Sequence, residues 1–132
     1  MDDRMITVFK LPADGSLKAI PEEIPDKLEV LQQYVEGYIE IVTLDRNSDD
    51  GTSLVMIVND CGLIWGLPVN PIATALYQGY TEAETAICGN AIICNADAEG
   101  ELQDIAPYTG LALLGLAMDI RRRKSEYDQR GS

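Results

Sequence analysis

The stretch from residue 53 to residue 77, SLVMIVNDCGLIWGLPVNPIATALY, leaves the backbone few choices. Ser53 to Val58 is an almost unbroken apolar run of strand length and reads as a central strand. Asn59, Asp60 and Gly62 then supply turn chemistry, Leu63 to Trp65 read as a second short strand, and Gly66-Leu67-Pro68 stops it. Asn70 followed by Pro71 opens a helix. The Asn side chain can take an orphan N–H of the first turn, and proline at the first helical position gives up no hydrogen bond. The expectation is a hairpin at the centre of the core, feeding a capped helix over 71–78.

Around that centre strand and helix signals alternate. Met5 to Leu11, the Pro12–Gly15 turn and a short partner holding Leu17, Ala19 and Ile20 predict an opening hairpin. Pro21 to Pro25 reads as a stiff acidic connector. Asp26 and Glu29 have capping-box spacing, and Leu28, Leu31 and Val35 form the stripe of a helix over 26–36 that Gly37 ends. Tyr38 to Leu44 alternates as a strand. Ala86 to Cys94 reads as another, with Gly89 and Asn90 marking a bulge or a close backbone approach, and Leu102 to Ile105 as a last short one. Pro107 to about Arg123 predicts a terminal helix with Leu111, Leu114, Met118 and Ile120 on its apolar face. At 132 residues this amounts to one compact α+β domain: a mainly antiparallel mixed sheet of about five to seven strands with about three helices.

Charge narrows the partners. Ten basic residues against 22 acidic ones leave −12, and because the last twelve residues carry five basic and two acidic groups, residues 1–120 hold −15. Such a body disfavours direct nucleic-acid binding, which needs Lys and Arg to neutralise phosphates. It suits solubility, or a basic protein partner. The start, MDDRMITVFK, has no basic region leading into an apolar one, and the longest apolar run is far short of a membrane span, so a soluble, cytoplasmic protein without membrane contact is expected. Cys61, Cys88 and Cys94 lack metal-ligand spacing and read as buried or free thiols in a reducing compartment.

The chain has no histidine, which removes the Ser-His-Asp and Cys-His constellations, and it has no glycine-rich phosphate loop. Asp45, Asn47 and Asp49 share the spacing of a calcium loop, but Asp50 stands where its glycine is needed and Met56 where its last glutamate is needed. That segment reads as a solvated hairpin loop. No catalytic residue, metal site or cofactor is assigned, and an enzyme is unsupported. The lone Trp65 is expected to pack in the core, since Trp is highly buried on average. The alternative makes it the aromatic wall of a small-molecule site with Asn59, Asp60 and the helix start at Asn70. Arg121, Arg122, Arg123 and Lys124 complement the C-terminal end of a helix dipole, and in the alternative they become an anion clamp. Asp45, Asp49, Asp50, Glu99 and Glu101 mark the acidic surface.

The segments GYIEIV (37–42), LVMIVNDCGLIWGLPVNPIATALY (54–77) and CGNAIICNADAEGELQDI (88–105) resemble the family known as domain of unknown function 3846. The positions that carry the resemblance are Asn59, Gly62, Gly66, Leu67, Pro68, Asn70, Gly89 and Asn90, within roughly residues 5–105. The resemblance implies a small acidic protein encoded on a phage, plasmid or conjugative element, with no defining enzymatic activity. Residues 107–132 depart from the family pattern, so the chain divides into a core over 1–106 and a basic-ended helix that packs on it or forms a homodimer. Charge and resemblance together point to an inhibitor of a host defence protein, of anti-restriction or anti-CRISPR type, acting by stoichiometric binding. A protein that sequesters a nucleotide-like signal is the alternative.

Overall fold

Strands form here where apolar side chains serve both faces of one sheet. The computed structural model describes residues 4–16 and 21–130, with side chains as far as Arg123 in the last helix. Its strands are β1 (Met5–Leu11), β2 (Glu22–Pro25), β3 (Ile39–Arg46), β4 (Ser53–Asn59), β5 (Ala91–Ala96) and β6 (Leu102–Gln103), all paired antiparallel. They lie in the order β2-β1-β5-β4-β3, with β6 against the end of β5. The helices are α1 (Leu28–Val35), α2 (Pro71–Thr81) and α3 (Pro107–Arg130). The molecule is therefore a single α+β domain.

The apolar run at 53–58 is β4, flanked by β3 and β5. Successive side chains of a strand point to opposite faces. Val55 and Ile57 join Ile6, Val8, Ile92 and Cys94 under Leu31 and Val35 of α1. Met56 and Val58 join Phe9, Leu11 and Ile93 beneath Leu76 of α2 and Leu113 of α3. Both faces are covered, which is why the run shows no polar alternation. Each fully buried Ile, Leu or Met contributes about 1.5–3 kcal/mol, so this strand is central to stability as well as to topology.

Several expectations are corrected. Leu63 to Trp65 form a turn, not a strand, so β4 has no hairpin partner after it. The acidic connector is β2, because Glu22 to Pro25 can pair with the outer edge of β1; the partner expected at Leu17 to Ile20 lies outside the described residues. α1 has no capping box: its N-cap is Lys27, with no side-chain hydrogen bond, and Asp26 instead bonds the Arg4 carbonyl and pairs with its guanidinium. Gly89 and Asn90 precede β5, and of the two readings the close approach holds: a Cβ on Gly89 would lie 2.9 Å from Leu67. α2 continues through Gln78-Gly79-Tyr80 to a left-handed Glu82. Among the described side chains of α3 the buried apolar ones are Leu113 and Ala117, while Leu111 and Met118 of the expected face are exposed. Leu114 and Ile120 pack partly inward, so the predicted stripe is rotated relative to the real one.

Cys94 gives the core a pH dependence. Burial, then the charges of Asp26 and Asp104, push its thiol from 9.0 up to about 12. The folded state thus holds a proton that the unfolded chain releases, so the contribution is complete below pH 9 and is lost as pH rises toward 12. The unfolding free energy from urea titrations should fall by about 1.4 kcal/mol per pH unit from about pH 9, and Cys94→Ala should remove that loss between about pH 9 and pH 10, above which the buried Tyr34 hydroxyl, also pushed up from 10.0, adds its own loss in both proteins. An identical slope in the variant would show that another group titrates.

Candidate functional site

Where β4 ends, the chain makes a tight excursion from Asn59 to Leu67 before reaching α2. Asn59 is 8% exposed. Its Oδ1 accepts from Cys61 N at 2.8 Å and its Nδ2 donates to the Val35 carbonyl at 3.1 Å, tying the turn to the end of α1. Gly37 permits this, since a Cβ there would sit 2.7 Å from Asn59 Nδ2. Inside the turn Trp65 N donates to the Cys61 carbonyl (2.9 Å), Gly66 N to Leu63 (3.2 Å) and Leu67 N to Gly62 (3.0 Å). Gly66 takes φ +70°, a left-handed conformation open to glycine at little cost. The turn lies against residues 87–89: a Cβ on Gly62 would come 2.5 Å from the Cys88 carbonyl oxygen, and Gly89 N donates to the Pro68 carbonyl at 2.7 Å. Gly62→Ala should therefore cost about 1–3 kcal/mol, because backbone must move to admit it. A melting temperature equal to that of the wild type would contradict this packing.

The turn displays Leu63, Ile64 and Trp65, which are 70%, 84% and 74% exposed. Trp65 is not in the core. Three successive residues of a tight turn fan outward, and with the backbone pinned to residues 87–89 they have no interior to reach. A small cavity of about 140 Å³ below is lined by Asn59, Asp60, Leu63, Glu40 and Tyr77, and neither Trp65, Asn70 nor the arginines are among its described lining. Its charged side chains are both carboxylates.

Asn70 does what the sequence indicates for a cap and more. Its Oδ1 accepts from Ala73 N at 3.1 Å, while Nδ2 donates to the carbonyls of Leu11 (2.8 Å) and Gly89 (3.0 Å). At 0% exposure it offers no face to a ligand. Arg121, Arg122 and Arg123 are exposed on α3, where Arg122 and Arg123 hold Asp119 at 2.7 and 3.0 Å. The Arg122 hydrogen bond keeps the Asp119 carboxyl below its usual range. The side chain of Lys124 lies outside the described part.

The acidic residues gather elsewhere. A Cβ on Gly51 would lie 3.1 Å from the Ala98 side chain, so the β3–β4 turn with Asp49 and Asp50 adjoins the β5–β6 turn with Glu99. Asp45, in β3, and Glu101 flank them. This acidic end and the apolar turn stand at opposite ends of β4, about 20 Å apart at strand rise. Asn47 and Asp50 direct their Oδ1 atoms to Asp49 N and Thr52 N at 2.9 Å, and among the described residues no group of three or more His, Cys, Asp or Glu could hold a metal ion. Cys61 is half-buried, with the Asp60 side chain raising its pKa, and Cys88 and Cys94 are buried.

One polar residue escaped sequence reasoning. Asn95, one residue past the strand expected over Ala86 to Cys94, is the fifth residue of β5 and shares the α2/α3 face with Ala91 and Ile93, where its Oδ1 is buried without a hydrogen-bond partner among the described residues. Strand phase over Ala91 to Ala96 would have placed it, had the strand start been known.

Fold and surface define a small, strongly acidic α+β domain that displays an apolar turn at Leu63 to Trp65. A family model described as domain of unknown function (DUF3846) matches residues 6–112, and the chain belongs to that family. No curated protein and no solved structure matches the chain. No described helix is long and apolar enough to cross a membrane.

Proposed function

We propose that this protein is a stoichiometric protein-binding module that seats Leu63, Ile64 and Trp65 in an apolar pocket rimmed by basic residues on its partner. The observation that carries the reading is the exposure of these three side chains on a turn closed by its own hydrogen bonds. Exposed apolar groups of this size are unfavourable in a monomer unless something covers them, and a preordered turn binds with little ordering entropy. Trp is also the residue most often found to dominate binding energy. The net charge of −12 and the carboxylates of Glu40 and Asp60 beneath the turn favour a cationic rim and disfavour an anionic membrane.

Membership in a family likened to small mobile-element proteins makes a cytoplasmic host defence nuclease, of restriction or CRISPR type, the partner class for this reading, with inhibition by occupancy. Self-association through α3 belongs to the same reading, since Tyr108, Leu111 and Met118 follow helical spacing and are exposed. A pull-down from host lysate across a salt series tests it. A basic nuclease retained in equimolar amount, lost steeply with salt and lost when Leu63, Ile64 and Trp65 are all replaced by serine is the expected result. Capture of the same proteins by the triple variant would overturn it.

A further inference from the structure

We propose that a second copy of this chain docks on the outer side of α3, helix against helix and antiparallel, with Leu111 of each copy seated over Gly115 of the other. The inference rests on the self-association named above and gives it a surface, a register and a direction; it owes nothing to the contact of the Leu63 to Trp65 turn. Leu113 and Ala117 turn one side of α3 into the core. Tyr108, Leu111, Gly115, Met118 and Arg122 lie on the other side, at steps of three, four, three and four residues, which is the seam of a two-helix coiled coil. Tyr108, Leu111 and Met118 are 90%, 66% and 57% exposed, an apolar row on a body that is otherwise strongly charged.

Gly115 is the observation that calls for a neighbour. In a helix interior glycine lowers stability more than any residue except proline. Gly110, in the same helix, has a reason within the chain, since a Cβ there would lie 3.1 Å from Pro21. A Cβ on Gly115 would meet nothing within 4 Å, so no described contact of its own chain requires glycine at that position. A helix arriving from outside does require it, because a position without a side chain lets a second backbone come close and leaves a hollow for one large residue.

Charge sets the direction. Arg121, Arg122 and Arg123 stand against Asp119 at this end of α3, whereas residues 1–120 carry −15. A parallel pair would bring the arginines of both copies together and set the acidic bodies side by side. In the antiparallel pair Leu111 faces Gly115, Tyr108 faces Met118, and Arg122 reaches about 4.5 Å beyond the start of the other copy's α3, three residues of helical rise. The acidic end of the sheet adjoins that start, for Asp45 lines the same cleft as Tyr108 and Thr109. Large thus meets small along the seam, and cation meets carboxylate at its ends.

Sedimentation of the full-length protein at about 50 μM should show a dimer. Gly115→Leu, which fills the hollow, should raise the dissociation constant at least roughly tenfold while helix content stays the same or rises, because leucine is the better helix former. Direction is read by disulfides. With Cys61 replaced by serine and Cys88 and Cys94 buried, an equal mixture of Tyr108→Cys and Met118→Cys chains should on mild oxidation give the mixed disulfide in excess over either homodimer. A monomer at that concentration, which would leave the face to a different protein, overturns the proposal, as does a Gly115→Leu variant that pairs as tightly as the wild type. Homodimeric disulfides in excess would mean a parallel pair and overturn it as well. Each of these results is obtained without any other protein, so a failure here is distinct from a failure of the Leu63 to Trp65 contact, which the triple serine variant reads in lysate.

Discussion

Asn70→Ala is expected to destabilise the protein by about 3 kcal/mol, lowering the melting temperature by on the order of 10 °C. Loss of the cap on Ala73 N accounts for about 1 kcal/mol. The remainder comes from the Leu11 and Gly89 carbonyls, which lose a buried donor that no water can replace at a fully enclosed position. These bonds join β1, the segment before β5 and the start of α2, so the effect should appear as lower overall stability and not as local fraying of the helix. Asn70→Asp separates the two parts: it keeps the capping oxygen, removes both donated bonds and buries a charge, and should be at least as damaging as alanine. A urea midpoint for Asn70→Ala that translates to less than about 0.5 kcal/mol of loss would mean that Asn70 is only a helix cap at a tolerant surface.

Replacing Ile64 and Trp65 together by serine should have the opposite profile. Stability should stay within about 0.5 kcal/mol of the wild type, because neither side chain is buried and the hydrogen bonds that hold the turn run through its backbone and the Asn59 side chain. Affinity for the captured partner should fall by about 2–4 kcal/mol, roughly 30- to 1,000-fold, chiefly through faster dissociation. Charge reversal at Asp45, Asp49 and Asp50, about 20 Å away along β4, should instead slow association and weaken its salt dependence. Trp65, the single tryptophan, reports on the contact directly. Its emission should resemble that of tryptophan in water in the free protein and shift to the blue in the complex. A blue-shifted emission in the free protein would contradict the exposed turn, and unchanged affinity in the double variant would remove the turn from the interface.

Local chemistry was legible wherever a residue acts on its near neighbours. Asn70 and Pro71 announce a helix start whatever surrounds them, since the bond to Ala73 N spans three residues. The run from Ser53 to Val58 is a strand for equally local reasons, whereas α1 ends one residue before the expected Gly37, at a left-handed Glu36, and Gly37 serves the approach of Asn59 instead. The acidic surface is readable as a count, and the absence of histidine as an exclusion. The family pattern is likewise made of turn residues whose spacing survives without coordinates.

What the sequence by itself determined was thus the α+β class, the type of most elements and the Asn70 cap of α2. Only the tertiary structure decided that β4 pairs with β3 and β5, that Glu22 to Pro25 form a strand, and that Trp65 faces solvent while Asn70 does not. The reason lies in range: propensity and periodicity describe interactions within a few residues, whereas burial depends on which distant segment arrives opposite. Residues 87–89, brought against the turn by the return of the chain to β5, leave Leu63, Ile64 and Trp65 outside. The rotation of α3, set by Leu113 and Ala117 meeting the α2 side of the sheet, turns Tyr108, Leu111 and Met118 outward.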